Sequence, residues 1–455
     1  MSDLIIETKY GKVEGFVEDD VQRWYGIPYA KPPIDNLRFR RAVECQPWEG
    51  IKECKKFKGR CCQFKMVGRV TSMDSEDCLY LNIWRKIMVK KNYQYMCGFM
   101  EEAFDSNCYL SDEIMALKWF NENIEAFGGD VNNITINGES AGGTSVIALM
   151  SCPAAKGLFH KAIAQSAYPD GNHYPKSNKL LMDMFLEYLK ISPEEAEKIR
   201  DLDYETLKAA SSYVTKNLSR YPGIFWPSFV YDDLLPMDCY STLKNGSAEG
   251  VKLIIGYNKN ESTLFNIFHE CPKNTNEIKK MLENNHLIEK YPEIEDFYFK
   301  QKKGGDSSAV LNFSGDYMFT LSNHEIAEIQ SQKNDVWLYR FDYMPPMFKA
   351  IGMKATHGID IPLTMANNDK VGSMFWMMTK PSSKKLLLDY IHGSWVRFAK
   401  TGNPNSDHLN YNWENYHSDS KKILLIDKEP KLVENLDKDK FELWKSIGVH
   451  QFYKD

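Results

Sequence analysis

Ser140 stands in the stretch Ile136–Val146, INGESAGGTSV, boxed by Gly138 and Gly142 and followed by Gly143. A serine between two glycines at G-x-S-x-G spacing, after a β-branched run and before a helix-forming one, is the pattern of a nucleophile held out on a sharp strand-to-helix turn. The serine backbone there is strained, and bulky flanking residues would strike the chain. The helix N-terminus behind it offers N–H donors that favour developing negative charge. A hydroxyl is a poor nucleophile without a base, and the base needs an acid to orient it.

In a strand-elbow-helix arrangement the chain order is serine, acid, histidine. His269, His286, His324, His357, His392, His408 and His417 follow Ser140 by a wide enough margin to serve, with His450 near the end. Most lie in helical or polar contexts and read as surface residues. His357 differs: it lies in the loop ATHGIDIPL, after the strand-like VWLYRFDY. Glu261 stands just past KLIIGYN, where strand ends of such sheets present functional groups. Ser140, Glu261 and His357 are therefore the candidate catalytic set. A turn serine with an unrelated surface histidine is the plainer alternative for any one of them.

The elements that must position these residues are legible in outline. LIIETKYGKVEGF, VQRWYGIPYA and CLYLNIW read as strands bounded by Gly11, Gly26 and Pro32-Pro33. SDEIMALKWFNENI reads as a helix capped by Ser111 or Asp112, with Ile114, Leu117, Trp119, Phe120 and Ile124 on its apolar face. ITING and GVKLIIGYN read as strands, AGGTSVIALM as a helix, and KKLLLDYIHGSWVRFAK as a long helix. Residues 176–222 carry helical patterns, including SPEEAEKI with Ser192 as a cap, and read as an insertion over the sheet. The whole, 1–455, reads as one α/β domain with a mixed or largely parallel sheet.

Composition bounds the function. The chain has 455 residues, is 43% hydrophobic and carries a formal net charge of −5, which argues against a nucleic-acid surface. No 18-residue apolar run exists, so no membrane span is expected. The start, MSDLIIETKYGKVEG, shows no secretory pattern. The ten cysteines lack paired CxxC spacing, so no zinc site is expected, and a reduced, cytoplasmic setting is. The adjacent Cys61 and Cys62 have no explanation in these terms.

The sequence resembles the type-B carboxylesterase family, the cholinesterase-like branch of the α/β-hydrolase fold. The resemblance runs nearly end to end: GIPYAKPP followed by LRF, SEDCLYLNIW, MALKWFNENIEAFGGD, ITINGESAGG, KGLFHKAIAQSA, GYNKNES, THGIDIPL and FAKTGNPN. Bacterial para-nitrobenzyl-esterase-like members look most similar. The resemblance implies an α/β-hydrolase fold, with a central, mostly parallel sheet and helices on both faces. It implies Ser140 as nucleophile, Glu261 as acid, His357 as base, and hydrolysis of small carboxylic esters through an acyl-enzyme without cofactor or metal. In secreted relatives the cysteine of SEDCLYLN pairs with one upstream, which here would join Cys78 to Cys62; a free thiol is the expectation in a reducing setting.

One family feature is absent. The oxyanion donors are implied to be the N–H after the serine, here Ala141, and N–H groups of a glycine-rich loop beyond LYLNIW. Only Arg85 to Lys91 separate Trp84 from Asn92, and no Gly-Gly pair falls there. About 40 residues that the resemblance implies, including a central strand, are missing, and KIMV is a candidate to fill the strand's place. Family members read G-N-x-G-L-x-D-Q before the ALKW helix, where this chain has SNCYLSDE. Losing an oxyanion donor costs about 10²–10³ in turnover, so the expectation is an esterase of reduced activity. A catalytically dead binding protein on the same fold, and a poorly folding deletion product, are the alternatives.

Overall fold

The computed structural model describes residues 4–62, 74–86, 96–99, 107–224, 229–268, 271–300, 305–367, 376–405, 409 and 412–448. Near the N-terminus, β1 (Ile5–Thr8), β2 (Gly11–Glu14) and β5 (Ile51–Glu53) form one three-stranded sheet. A second joins β3 (Phe16–Glu18), β4 (Val21–Pro28) and β6 (Tyr80–Lys86). The central sheet has seven strands, in the order β13 (Lys431–Val433), β12 (Ile423–Ile426), β11 (Val336–Phe341), β10 (Lys252–Asn258), β9 (Lys161–Gln165), β8 (Thr135–Glu139) and β7 (Met96–Phe99). All neighbours in it are parallel except β12 and β13.

These strands are continuous apolar runs because both faces of the sheet are covered. Alternate residues enter different cores, as a period of two requires. Ala162, Ala164, Leu253, Ile255, Val336 and Leu338 pack on one face with α1 (Cys108–Asn123) and α2 (Ala141–Ser151). Ile163, Ile254, Trp337 and Tyr339 pack on the other with Leu363, Leu387, Trp395 and Phe398. This is the α/β-hydrolase arrangement, with helices on both sides of the strand ends that carry the site. Helices α3 (Pro175–Leu189) and α4 (Tyr204–Asn217) share a smaller core of their own, built on Leu181, Phe185, Leu207 and Val214.

Several local expectations fail for identifiable reasons. Helix α1 begins at Cys108, one turn before Ser111, whose hydroxyl accepts from the Ala42 amide instead of capping. SPEEAEKI forms a tight 3₁₀ helix, Pro193–Asp201, in which the Ser192 side chain caps nothing and its carbonyl takes the Glu195 amide. The long C-terminal helix is interrupted by a wide π turn at Asp389–Gly393. Met96–Phe99 pairs with β8; of KIMV only Lys86 is described, at the end of β6, and residues 87–91 lie outside the described residues. Strand β6 pairs with β4, in the smaller sheet.

Candidate active site

Ser140 occupies the turn between β8 and α2 with φ 61° and ψ −121°, a conformation that costs a non-glycine residue free energy. Neighbours hold it there. Its amide donates to the Gln165 carbonyl (2.9 Å), and its carbonyl accepts from the Thr144 amide (2.9 Å) and hydroxyl (3.1 Å). The glycines make the turn possible. A Cβ on Gly138 would sit 2.1 Å from the Gly142 carbonyl oxygen, and one on Gly143 would sit 2.5 Å from that of Gln165. Ala141 opens α2, so its N–H has no partner within the helix and stands next to the serine.

The three sequence-selected residues meet. His357 Nε2 lies 2.6 Å from Ser140 Oγ, and its Nδ1 lies 2.6 Å from Glu261 Oε2. His357 is 8% exposed and Glu261 2%. The other Glu261 oxygen, Oε1, accepts from the Asn258 amide (2.6 Å) and the Ser166 hydroxyl (2.7 Å). Glu261 thus makes hydrogen bonds through both oxygens, which fixes its orientation. Gly358, at φ 72°, turns the chain just past His357. Phe265 and Phe319 flank the imidazole, with ring centroids 4.9 and 5.0 Å away. Glu139 Oε1 approaches Nε2 at 3.5 Å.

The sequence reading missed Ser166 and Asp360. Ser166 follows β9 at positive φ (49°), and nothing in its spacing announces contact with Glu261. A faint signal existed for Asp360, an acid three residues after the chosen histidine. His324 corrects an expectation: it is buried, and its Nε2 lies 2.9 Å from Tyr257 OH. Burial pushes its imidazole down to about 3. His269, His408 and His450 lie outside the described residues.

A polar cavity of about 550 Å³ lies behind Glu261, lined among others by Asn258, Ser262, Thr320 and Arg340; neither Ser140 nor His357 lines it. Residues 87–91, where the glycine-rich loop would be sought, lie outside the described residues. No group of three or more potential metal ligands occurs among the described residues. No helix among them is long and apolar enough to cross a membrane. Cys78 carries a free thiol.

Comparison with known proteins matches the family model described as "Carboxylesterase family" over residues 2–96 and 86–444, two segments that overlap at 86–96. Para-nitrobenzyl esterase of Bacillus subtilis (strain 168) is 30% identical over 482 residues, covering 94% of this chain and 96% of that protein. Phenmedipham hydrolase of Pseudarthrobacter oxydans is 26% identical, covering 93% and 95%. Among solved structures, a thermophilic PNB esterase superposes with a TM-score of 0.85 at 26% identity, covering 97% of this chain and 100% of its own. The 482-residue alignment exceeds the 455 residues of this chain, so the Bacillus protein carries residues that this one lacks.

Proposed function

Since the chain belongs to the carboxylesterase family, we propose that it is a serine hydrolase of small carboxylic esters, acting through Ser140, His357 and Glu261. The observation that carries this reading is the pair of 2.6 Å contacts from the two ring nitrogens of His357. His357 Nε2 takes the Ser140 proton as Oγ attacks the ester carbonyl. Glu261 holds the Nδ1–H tautomer and stabilises the imidazolium. The tetrahedral oxyanion turns toward the Ala141 N–H and the start of α2. His357 then protonates the leaving alcohol. Water, deprotonated by the same imidazole, attacks the acyl-enzyme, releasing the acid and restoring Ser140.

Turnover is lower than in relatives with a full set of oxyanion donors, by about 10²–10³ for each donor lost. The residues that the Bacillus relative has in excess support this. They equally favour a second reading, an ester-binding protein without turnover. We also take 1–455 as one domain, with 176–222 as an insertion. The shared core of α3 and α4 supports that. A reducing, cytoplasmic setting fits the free thiols of Cys45, Cys54 and Cys78. The test is hydrolysis of a short-chain activated ester by the full chain and by Ser140→Ala. Turnover present in the first and abolished in the second supports esterase action. A folded chain that binds the ester without turnover supports the second reading.

A further inference from the structure

Asp360 lies three residues beyond His357 and is completely buried. Its carboxylate accepts from Gln165 Nε2 (2.7 Å), Asn258 Nδ2 (3.1 Å) and Tyr339 OH (3.2 Å). These donors stand on three successive strands: Gln165 ends β9, Asn258 ends β10, and Tyr339 lies in β11. Asp360 forms no ion pair among the described residues, so a buried carboxylate is held by neutral donors alone. Such an arrangement is costly for the fold and calls for a reason.

Its neighbours suggest the reason. The Gln165 carbonyl takes the Ser140 amide, and the adjacent Ser166 hydroxyl donates to Glu261. The backbone amide of Asn258 donates to Glu261 as well. Gln165 is itself locked, its Oε1 accepting from Trp395 Nε1 (3.1 Å) and Thr364 Oγ1 (3.2 Å). The loop that carries His357 is thus tied, through one carboxylate, to the residues that fix both of its partners. We propose that Asp360 is a positioning residue that sets the His357 imidazole in register with Ser140 and Glu261. It touches neither substrate nor reacting atoms. The kinetic arm of its test rests on the esterase reading; the spectroscopic arm does not.

The experiment compares the wild-type chain with Asp360→Asn and with Tyr339→Phe, which removes only a hydroxyl and leaves the ring packing in place. Two quantities are read: steady-state kinetics on an activated short-chain ester, and the far-downfield proton resonance of the His357 Nδ1–Glu261 hydrogen bond. Asp360→Asn lowers kcat about 10–100-fold with KM nearly unchanged, as misplacement of a catalytic group does. Its downfield resonance shifts or broadens, and Tyr339→Phe changes both quantities in the same direction by less. An unmoved resonance in both variants overturns the proposal, and so does unchanged kcat. If Asp360→Asn does not fold, Tyr339→Phe decides. If the wild type shows no turnover, the esterase reading fails and the resonance alone decides this one.

Discussion

Ser166 donates a 2.7 Å hydrogen bond to one oxygen of Glu261, while the other oxygen faces His357 at 2.6 Å. The carboxylate is therefore clamped between a hydroxyl on one strand end and the imidazole it steers. Glu261→Gln places an amide where the Nδ1–H must be accepted and favours the wrong tautomer. The expected loss in kcat is about 10³–10⁴-fold, with the fold retained. Steady-state kinetics beside a thermal melt checks this; a loss below tenfold would show that Glu261 does not orient the base.

The elbow tolerates no methyl group at its first glycine. Gly138→Ala drives a Cβ into the backbone of Gly142, and a methyl group has no rotamer that avoids it, so neither side can yield cheaply. The expected cost exceeds about 3 kcal/mol, with activity abolished. Gly250→Ala, at φ 89° but with open space around it, is the control: it bears backbone strain alone, about 1 kcal/mol. Denaturant unfolding compares them, and equal losses would refute the steric account.

Glu113 is a buried carboxyl against helix α2, and burial raises it to about 8. It makes no hydrogen bond of good geometry, and its nearest polar neighbours, Ser145 and Tyr109, offset only part of the desolvation. The folded state thus binds a proton that the unfolded chain, with an ordinary value of 4.5, releases earlier. Stability contributed by this group is complete below pH 4.5 and declines as pH rises toward 8, by about 1.4 kcal/mol per unit. Glu113→Gln, which restores the D-Q of the family pattern, removes that slope. Melting temperatures of the variant and wild type should coincide near pH 4 and diverge in favour of the variant at pH 8; parallel curves would contradict this.

His324 acts at the other end of the scale. Its imidazole is pushed down to about 3 in the fold against 6.5 when unfolded, so the unfolded chain takes up a proton first. Its contribution is intact above pH 6.5 and falls away between 6.5 and 3. His324→Asn costs stability at pH 7.5, and the gap to wild type narrows as pH drops to 4. A constant gap across that range, measured by urea unfolding, would show that the residue does not titrate on unfolding.

The elbow was legible because its constraint is local: Gly138, Ser140 and the β-branched run lie within a few residues and admit few other backbones. Glu261 could be found because it follows closely on a recognisable strand, and His357 because it stands in a glycine-turned loop beyond the next one, in the chain order that the topology fixes. Ser166 and Asp360 were not found, since their value comes from contacts across 95 and 195 residues of chain. The caps assigned to Ser111 and Ser192 failed because one hydroxyl is taken by Ala42 and the other opens a 3₁₀ turn. Which segment pairs with β8 is likewise a long-range matter, and nothing local to Met96–Phe99 announced that pairing.

The most direct test of the central claim is mass spectrometry of the folded chain after treatment with a fluorophosphonate. An activated serine should yield a single adduct, located on Ser140, absent in Ser140→Ala and slowed in Glu261→Gln. A well-folded chain that stays unmodified, or that is modified at another residue while Ser140 remains free, would contradict the account.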